Sequence, residues 1–407
     1  MSTSARPRVL LTGGSIAGPT LAWGLHRAGF AVTVLERSPA RRDAGQNIDV
    51  RGLGREVLRR TGLQDAVMAR LTGEVGTRFV DEAGRVVAEV TATAGRDGTT
   101  AEVEILRGDL SALLLDAVDG DVEVRYGDAV TSVDQDATGV DVTTASGARE
   151  RYDLLLVAEG RSSRTRRHLF ADRTRVVDKG VNIAYGTIDR EEQDDDWWYW
   201  MTTSGRRTVS VRPDPLGTLR ASLNFMTPDV GFDGLPVAAQ LQVLRARFGD
   251  VGWRVQRVLE GFAQRPEEFY TERMAQVVVS RWSTGRVALV GDAAWGSGPT
   301  GMGTTLSLVG AHVLAGELGR TLSESGVTHG EAFARYERLL RRYVDSAQGL
   351  PPGTPGLMHP RSDRGVRVLH RGMRIALAPA LRRFAEKTVI TSQRHEPALP
   401  EYPGLRG

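Results

Sequence analysis

The chain has 407 residues, of which 41% are hydrophobic and 25% charged, and its formal net charge is +3. These values are ordinary for an enzyme of two or three domains, and apolar runs of about five residues lead us to expect a cytoplasmic protein with neither a membrane span nor a signal peptide. Cysteine is absent, which excludes disulfides, thiolate metal sites and a cysteine nucleophile.

Basic and histidine residues point to no further binding partner. All but two of the 53 basic residues are arginines, in surroundings that also contain acids, and no nucleic-acid-binding signature accompanies them. The seven histidines are scattered without an i, i+4 pair, so we expect no metal site.

The first forty residues predict a β-α-β unit. Residues 9–11 form a short apolar run, residues 17–28 have helical spacing and end at Gly29, and residues 31–35 are apolar and β-branched. Continuous apolar strands of this kind are typical of a buried parallel sheet.

Downstream, the pattern alternates between helices and strands and then changes character. Helical spacing occurs at 54–72, 107–117, 304–319, 331–348 and 367–390, and strand patterns occur at 76–92, 122–157 and 287–290. Residues 176–275 alternate as in an antiparallel sheet and carry the aromatic run Trp197 to Trp200. We therefore predict an α/β fold with a Rossmann-like domain, an inserted, largely antiparallel β-sheet domain and C-terminal helices.

A glycine-rich turn joins the first strand to the first helix. It occupies the place of a G-x-G-x-x-G dinucleotide fingerprint, with serine at the middle glycine, and comprises Gly13, Ser15, Ile16, Ala17 and Gly18. Backbone amides at a helix N-terminus approach a pyrophosphate closely in such turns. Glu36 ends the second strand, where a carboxylate accepts hydrogen bonds from an adenosine ribose.

A second strand-to-glycine turn follows residues 287–290. Asp292 stands at the end of that strand, where it can bind a ribityl hydroxyl, and the next loop contains Pro299, Gly301, Met302 and Gly303. The backbone amides of this loop can point at the anionic edge of a pyrimidine ring in a ligand. The alternative is an ordinary βα turn in which Asp292 caps a helix.

The order of these segments, with Glu36-Arg37, Arg107, Asp153 and Glu159-Gly160 between them, resembles the class A FAD-dependent monooxygenases. That family includes para-hydroxybenzoate, polyketide and tetracycline hydroxylases, and the resemblance covers roughly residues 7–350. It implies bound FAD, NADPH or NADH as a transient reductant, O2 as co-substrate, and a flavin C4a-hydroperoxide that transfers oxygen to an aromatic or polyketide-like molecule. Together with the arginine-rich composition it suggests bacterial secondary metabolism.

The resemblance also assigns domains and cofactor contacts. The FAD-binding domain would span 1–175, with a strand excursion near 76–105, and return at 276–350; a substrate sheet would span 176–275 and a helical region 351–407. The glycine turn would hold the pyrophosphate, Glu36 the ribose and Arg37 the adenosine side. The remaining expected contacts are with Asp49, Arg51, Arg107, Glu159, Gly160, Asp292, Pro299, Gly301, Met302, Gly303 and Thr304.

Four positions depart from the family pattern. Glu159 stands where Asp is usual, Trp295 where His is common, Thr305 where Asn is common and Gly310 where an acid is common. Glu159 and Trp295 keep alternatives open: a non-redox cyclase that retains FAD, or a flavin-binding protein without turnover.

The substrate is expected between the flavin and the inserted sheet. We predict wall residues at Trp200, Asn224, Met226 and Trp295. No protein general acid or base is assigned, because the flavin supplies the reactive oxygen.

Overall fold

The computed structural model describes residues 6–41, 45–91, 103–298, 300–351, 353–377 and 396–405. No helix in these ranges combines the length and hydropathy that crossing a membrane requires.

The strands of the described residues fall into four sheets. In chain order they are β1 Arg8–Thr12, β2 Ala31–Glu36, β3 Asn47–Val50, β4 Gly76–Val80, β5 Val86–Thr91, β6 Val103–Leu106, β7 Glu123–Tyr126, β8 Val130–Gln135, β9 Val140–Thr144, β10 Arg149–Tyr152, β11 Leu154–Val157, β12 Thr174–Asp189, β13 Trp197–Thr203, β14 Arg207–Pro213, β15 Thr218–Met226, β16 Tyr270–Val279, β17 Ser283–Thr284 and β18 Val287–Leu289.

The helices lie between and around these strands. In chain order they are α1 Ala17–Ala28, α2 Leu53–Arg60, α3 Gln64–Met68, α4 Arg107–Asp116, α5 Arg164–Leu169, α6 Val237–Phe248, α7 Val255–Gln264, α8 Asp292–Trp295, α9 Gly303–Ser323, α10 His329–Gln348 and α11 Asp363–Ala376.

A six-stranded sheet forms the centre of the nucleotide-binding part. Its order is β17-β18-β11-β1-β2-β7, and all neighbours except β17 and β18 are parallel. The central strands β1 and β11 are buried apart from Arg8, as is typical of a parallel sheet, and α1 packs against β1, β2 and α9. Every residue of α9 from 305 to 318 is buried, which agrees with its largely apolar sequence. The predicted β-α-β unit and Rossmann-like fold are confirmed.

Local sequence signals set several element ends. Gly29 has φ 103° and its amide caps the end of α1, as its position in the sequence predicts. The helical pattern at 54–72 is divided into α2 and α3 by Gly62, whose φ is 75°. A left-handed residue interrupts the helical hydrogen-bond ladder, so one predicted helix becomes two.

The inserted part is a seven-stranded sheet of order β16-β12-β15-β14-β13-β4-β5. Its pairs are antiparallel except β4 with β13. Strands β4 and β5, from the excursion near 76–105, thus extend this sheet rather than the parallel one; residues 92–102 lie outside the described ranges. Two helices, α6 and α7, interrupt the strand pattern expected at 176–275 and cover one face.

The C-terminal part contacts the inserted sheet and the helices of the nucleotide-binding part. Helix α11 lies against β5 and β13, whereas Tyr402 and Leu405 pack on α9 and α1. The aromatic ring of Tyr402 occupies the space beside Gly316, where a Cβ would come within 2.2 Å of it. The predicted helix at 367–390 is observed to Ala376, and its part from 378 onward lies outside the described residues.

Candidate active site

The first glycine turn is shaped by close backbone approaches. Gly13 has φ 102°, and a Cβ there would lie 2.3 Å from the Ala158 carbonyl oxygen. A Cβ on Gly18 would lie 1.8 Å from the Gly13 oxygen. Only glycine fits at both positions, so the turn brings the N-terminus of α1 against β11 and leaves the backbone open to an anion.

Polar side chains surround this turn. The Arg107 Nη2 donates to the Ser15 hydroxyl at 3.1 Å, which brings a guanidinium to the mouth of the turn. Ile16 and Ala17 are buried beneath it. A positive side chain and a positive helix end therefore converge on one point, as binding of a pyrophosphate requires.

Glu36 closes β2 next to the same turn. Its Oε2 accepts from the Gly14 amide at 2.7 Å, and its Oε1 accepts from the Ser38 amide at 2.7 Å. Each oxygen keeps a second lone pair, so the carboxylate is oriented and can still accept from a ribose hydroxyl. Arg37 is exposed beside it.

The second glycine turn meets the first. Gly291 has φ 64°, and a Cβ there would lie 2.9 Å from the Ala17 side chain. Asp292 follows at the start of α8, and its Oδ1 is buried without a hydrogen-bond partner among the described residues. Burial raises the pKa of Asp292, against the lowering effect of Arg107, Arg161 and Arg166. An isolated buried carboxylate oxygen of this kind calls for a hydroxyl donor.

The last glycine loop lies beside Asp292. A Cβ on Gly303 would lie 3.6 Å from the Asp292 Oδ1, and one on Gly301, which has φ 70°, would lie 3.6 Å from the Asp49 Oδ2. Met302 is buried and Thr304 is half-buried at the start of α9. Pro299 lies outside the described residues.

Strand β3 is attached to this loop. Arg51 pairs with Asp49 at 2.7 Å, and its backbone amide donates to the Thr305 hydroxyl at 2.9 Å. Thr305, one of the departures from the family pattern, therefore joins β3 to α9. Described residues from both halves of the chain are thus brought together, since Asp49 and Arg51 contact the segment from Gly301 to Thr305.

Two other departures compensate for each other. Trp295 is 1% exposed and packs against Trp282, with ring centroids 4.5 Å apart. A Cβ on Gly310 would lie 2.6 Å from the Trp295 ring, so the indole occupies the space of the missing side chain. This packing places Trp295 in the core and argues against its predicted position on the substrate wall.

Glu159 has a local structural role. Its carboxylate accepts from the Ser163 hydroxyl at 2.7 Å, the Thr165 hydroxyl at 2.6 Å and the Thr165 amide at 3.1 Å. These bonds hold the N-terminus of α5, and Gly160 turns the chain with φ 78°. Cofactor contact by Glu159 and Gly160 stays a prediction.

The face of the inserted sheet opposite α6 and α7 is here named the polar face. Cross-strand pairing aligns Thr202, Thr208 and Asn224 in one row, and Trp200, Ser210 and Ser222 in the next. Because side chains alternate along a strand, Met226 shares the face with Asn224. The predicted wall residues Trp200, Asn224 and Met226 are therefore brought together.

Several atoms of the polar face lack partners among the described residues. They are the Asn224 Oδ1, the Trp200 Nε1, the Thr202 Oγ1 and the Thr77 Oγ1. Asn224 is 5% exposed, and its amide nitrogen donates to the Thr208 hydroxyl at 3.0 Å. Buried donors and acceptors without partners are costly, which marks this face as a place for a polar ligand or water.

A third row on the same face is charged. Arg212 pairs with Glu104 at 2.6 Å and Glu74 at 3.1 Å, and its guanidinium lies 4.0 Å from the Trp198 ring centroid. Burial raises the pKa of Glu74 to about 8, although Arg212 opposes the shift. Asn47 donates to Glu104 at 2.6 Å, so this cluster joins the sheet to β3 and β6.

No motif in the sequence indicates this cluster or Arg161, which pairs with Glu272 on β16 at 3.4 Å. The charged partners are far apart along the chain. The only sequence signal is a charge at an inward-facing position of an alternating strand, as at Arg212 and Glu272.

Comparison with known proteins agrees with this geometry. Residues 6–343 match the model of the family described as FAD binding domain. A flavin-dependent monooxygenase named eupH, from a Phoma species, is 33% identical over 429 residues, covering 98% of each chain. The crystal structure of the tetracycline destructase Tet(55) superposes with a TM-score of 0.79 at 30% identity, covering 98% of this chain and 99% of that one.

A more distant structure shares the fold. The Klebsiella pneumoniae protein HpxO, complexed with FAD and uric acid, has a TM-score of 0.75 at 20% identity, covering 95% of this chain and 97% of that one.

Proposed function

The chain belongs to the FAD-dependent monooxygenases that share this FAD binding domain, and on that premise we propose that it hydroxylates or epoxidises an aromatic or polyketide-like small molecule, with NADPH or NADH as reductant. The buried, unpartnered Asp292 Oδ1 at the meeting point of the two glycine turns carries the cofactor assignment. A generic helix cap would use that oxygen on a backbone amide, and no amide of the described residues donates to it.

The described residues fit FAD. The turn from Gly13 to Gly18 and Arg107 would hold the pyrophosphate, and Glu36 the ribose. Asp292 would accept from the ribityl chain. The amides at 301–304, with Asp49 and Arg51 beside them, would face the flavin ring.

Bound FAD supplies electron transfer from a nicotinamide and activation of O2. The protein contributes binding, orientation and exclusion of water. The polar face would orient a flat substrate through its unpartnered hydroxyl, amide and indole groups, with Trp200 against the ring.

No contact in the described part of the chain favours the alternative of a non-redox cyclase. It depended on Glu159 and Trp295, and these residues have structural partners in α5 and in the core. Substrate-dependent consumption of NAD(P)H and O2 separates the two functions, since a cyclase consumes neither.

Titration with FAD tests the cofactor assignment. We expect the protein to bind FAD and ADP, and Asp292→Ala to weaken FAD binding about 10- to 150-fold, the equivalent of one charge-assisted hydrogen bond of about 1.5–3 kcal/mol. ADP binding should be unchanged, because Asp292 would contact only the ribityl chain.

Glu36→Ala is the matched control, because it should weaken FAD and ADP equally. Equal weakening of both ligands by Asp292→Ala, or no weakening of either, would contradict the assignment.

A further inference from the structure

The hairpin between β13 and β14 places a guanidinium at the end of the polar face. Arg206 has φ 62°, a left-handed conformation that is uncommon for a residue with a side chain. Its amide donates to the Pro360 oxygen at 3.0 Å, and its oxygen accepts from the Met226 amide at 3.0 Å. These bonds fix the backbone from both sides, so the direction of the Arg206 side chain is set by the tertiary structure.

The Arg206 side chain lies over Met226. Its Nη1 is 3.5 Å from the Met226 sulfur, a weak acceptor, and Met226 shares the polar face with Asn224. Within the described ranges, no carboxylate pairs with Arg206. The side chain is half-buried, so its guanidinium is available to an anion that reaches this end of the face.

The neighbouring residue, Arg207, shows the ordinary arrangement. It lies on the opposite face of the sheet, where its guanidinium pairs with Asp250, donates to the Arg247 oxygen and lies 6.0 Å from the Phe248 ring centroid. Two consecutive arginines of one hairpin therefore lie on opposite faces of the sheet: Arg207 has a carboxylate partner, and Arg206 lies over Met226 without one among the described residues.

A histidine lies near Arg206. His359 is 6% exposed, its Nδ1 is 3.0 Å from the Pro355 oxygen, and its Nε2 has no partner among the described residues. Burial, together with the charge of Arg206, lowers the pKa of His359, so the ring is neutral near pH 7. The Nδ1 proton is then used by Pro355, which leaves the Nε2 as an acceptor next to a cation.

We propose that Arg206, with His359 beside it, forms a subsite for an acidic oxygen group of the substrate: a carboxylate, or an ionised enol or phenol with a neighbouring hydroxyl. The guanidinium supplies paired donors to the anionic oxygen, and the imidazole accepts from the hydroxyl. The proposal rests on the proposed function, since it places a recognition group at the far end of the substrate face. Arg212 and Arg220 do not serve this purpose, because carboxylates already pair with both.

The test compares acids with their uncharged amides. FAD-loaded protein is titrated by calorimetry with three matched pairs of increasing ring number: salicylate and salicylamide, hydroxynaphthoate and its amide, and hydroxyanthracene carboxylate and its amide. We expect the best-fitting acid to bind about 10- to 150-fold more tightly than its amide. Absence of acid preference in all three pairs would overturn the proposal.

Variants of the hairpin test whether Arg206 causes the preference for the acid over its amide. Arg206→Gln should abolish the preference for the acid, and Arg207→Gln, which removes the same charge from the same hairpin, should retain it. Arg206→Gly guards against misfolding, because glycine adopts the left-handed conformation without strain. Loss of preference in Arg206→Gly with an unchanged melting temperature supports the subsite; retained preference overturns it.

Two readouts distinguish this subsite from a nucleotide contact and from a failure of the cofactor assignment. An Arg206→Gly effect on NADP⁺ binding alone would assign the guanidinium to a nucleotide phosphate and overturn the proposal. Failure to bind FAD would count against the proposed function, whereas the acid preference can be measured on the apoprotein as well, so the two failures are distinguishable.

Discussion

Alternate residues of the same strands build the two faces of the seven-stranded sheet. The faces differ in how many of their buried hydrogen-bond donors and acceptors have partners. Phe225, on β15, points to the face covered by α6 and α7 and packs edge-on against Phe232 at 5.1 Å and Phe248 at 6.4 Å. Asn224, its neighbour, points to the polar face with an unpartnered Oδ1. Both side chains are nearly inaccessible, so burial alone does not distinguish them.

The difference separates residues that stabilise the fold from residues available to a ligand. On the face covered by helices, apolar side chains meet apolar side chains and nothing is left to bind. On the polar face, donors and acceptors are shielded from water and still lack partners. Substitutions on the two faces should therefore affect different measurements.

Replacing Phe225 should have the largest effect on stability. Phe225→Ala removes a buried ring and leaves a cavity among Phe232, Phe248 and α6, at a cost of about 3–5 kcal/mol in the free energy of unfolding. Urea unfolding measures this change, and FAD affinity at low temperature serves as the control. A loss below about 1 kcal/mol would mean that the helices on this face contribute little to folding.

The charged row of the polar face should make stability depend on pH. The pKa of Glu74 is raised to about 8 in the folded protein, so between its unfolded value and about 8 the folded state binds more protons than the unfolded state. Glu74 therefore contributes to the free energy of unfolding at low pH. This contribution falls as pH rises, by at most about 2.7 kcal/mol between about pH 5 and 7.

Glu74→Gln keeps the shape of the side chain and removes this titration. The difference in unfolding free energy between wild type and variant should grow with pH over that interval, as measured by urea unfolding at several pH values. A constant difference would show that Arg212 keeps Glu74 ionised throughout.

Replacing Asn224 should have the smallest effect on stability. Asn224→Leu is similar in size, loses the hydrogen bond to Thr208 and removes an unpartnered oxygen, so the unfolding free energy should change by about 1 kcal/mol or less. Affinity for the best ligand of the aromatic panel should nevertheless fall severalfold. If stability drops as far as in Phe225→Ala, the polar face is a second core and not a ligand face.

Prediction from sequence succeeded where a local pattern has one structural solution. The strand-turn-helix with Gly13, Gly18 and Glu36 is confirmed as a βαβ unit, because the turn admits only glycine where the Ala158 oxygen approaches. Gly29 ends α1 as expected. The cofactor contacts inferred from these residues stay predictions until ligand binding is measured.

Sequence patterns did not reveal contacts between different elements. Nothing local to Trp295 shows that Gly310 provides the space for its ring. The strands at 76–91 carry a correct alternation, but alternation does not identify the sheet that they join.

Local chemistry in the sequence therefore determined the nucleotide-binding turn, the fold class and the family. The tertiary structure alone decided which side of the inserted sheet is satisfied and which is open to a ligand. Arg206 and Arg207 show the reason: they are adjacent and chemically identical, and only the contacts with Asp250 on one side and Met226 on the other give them different roles. Period-two alternation separates the two sides, but the elements that cover each side come from distant parts of the chain.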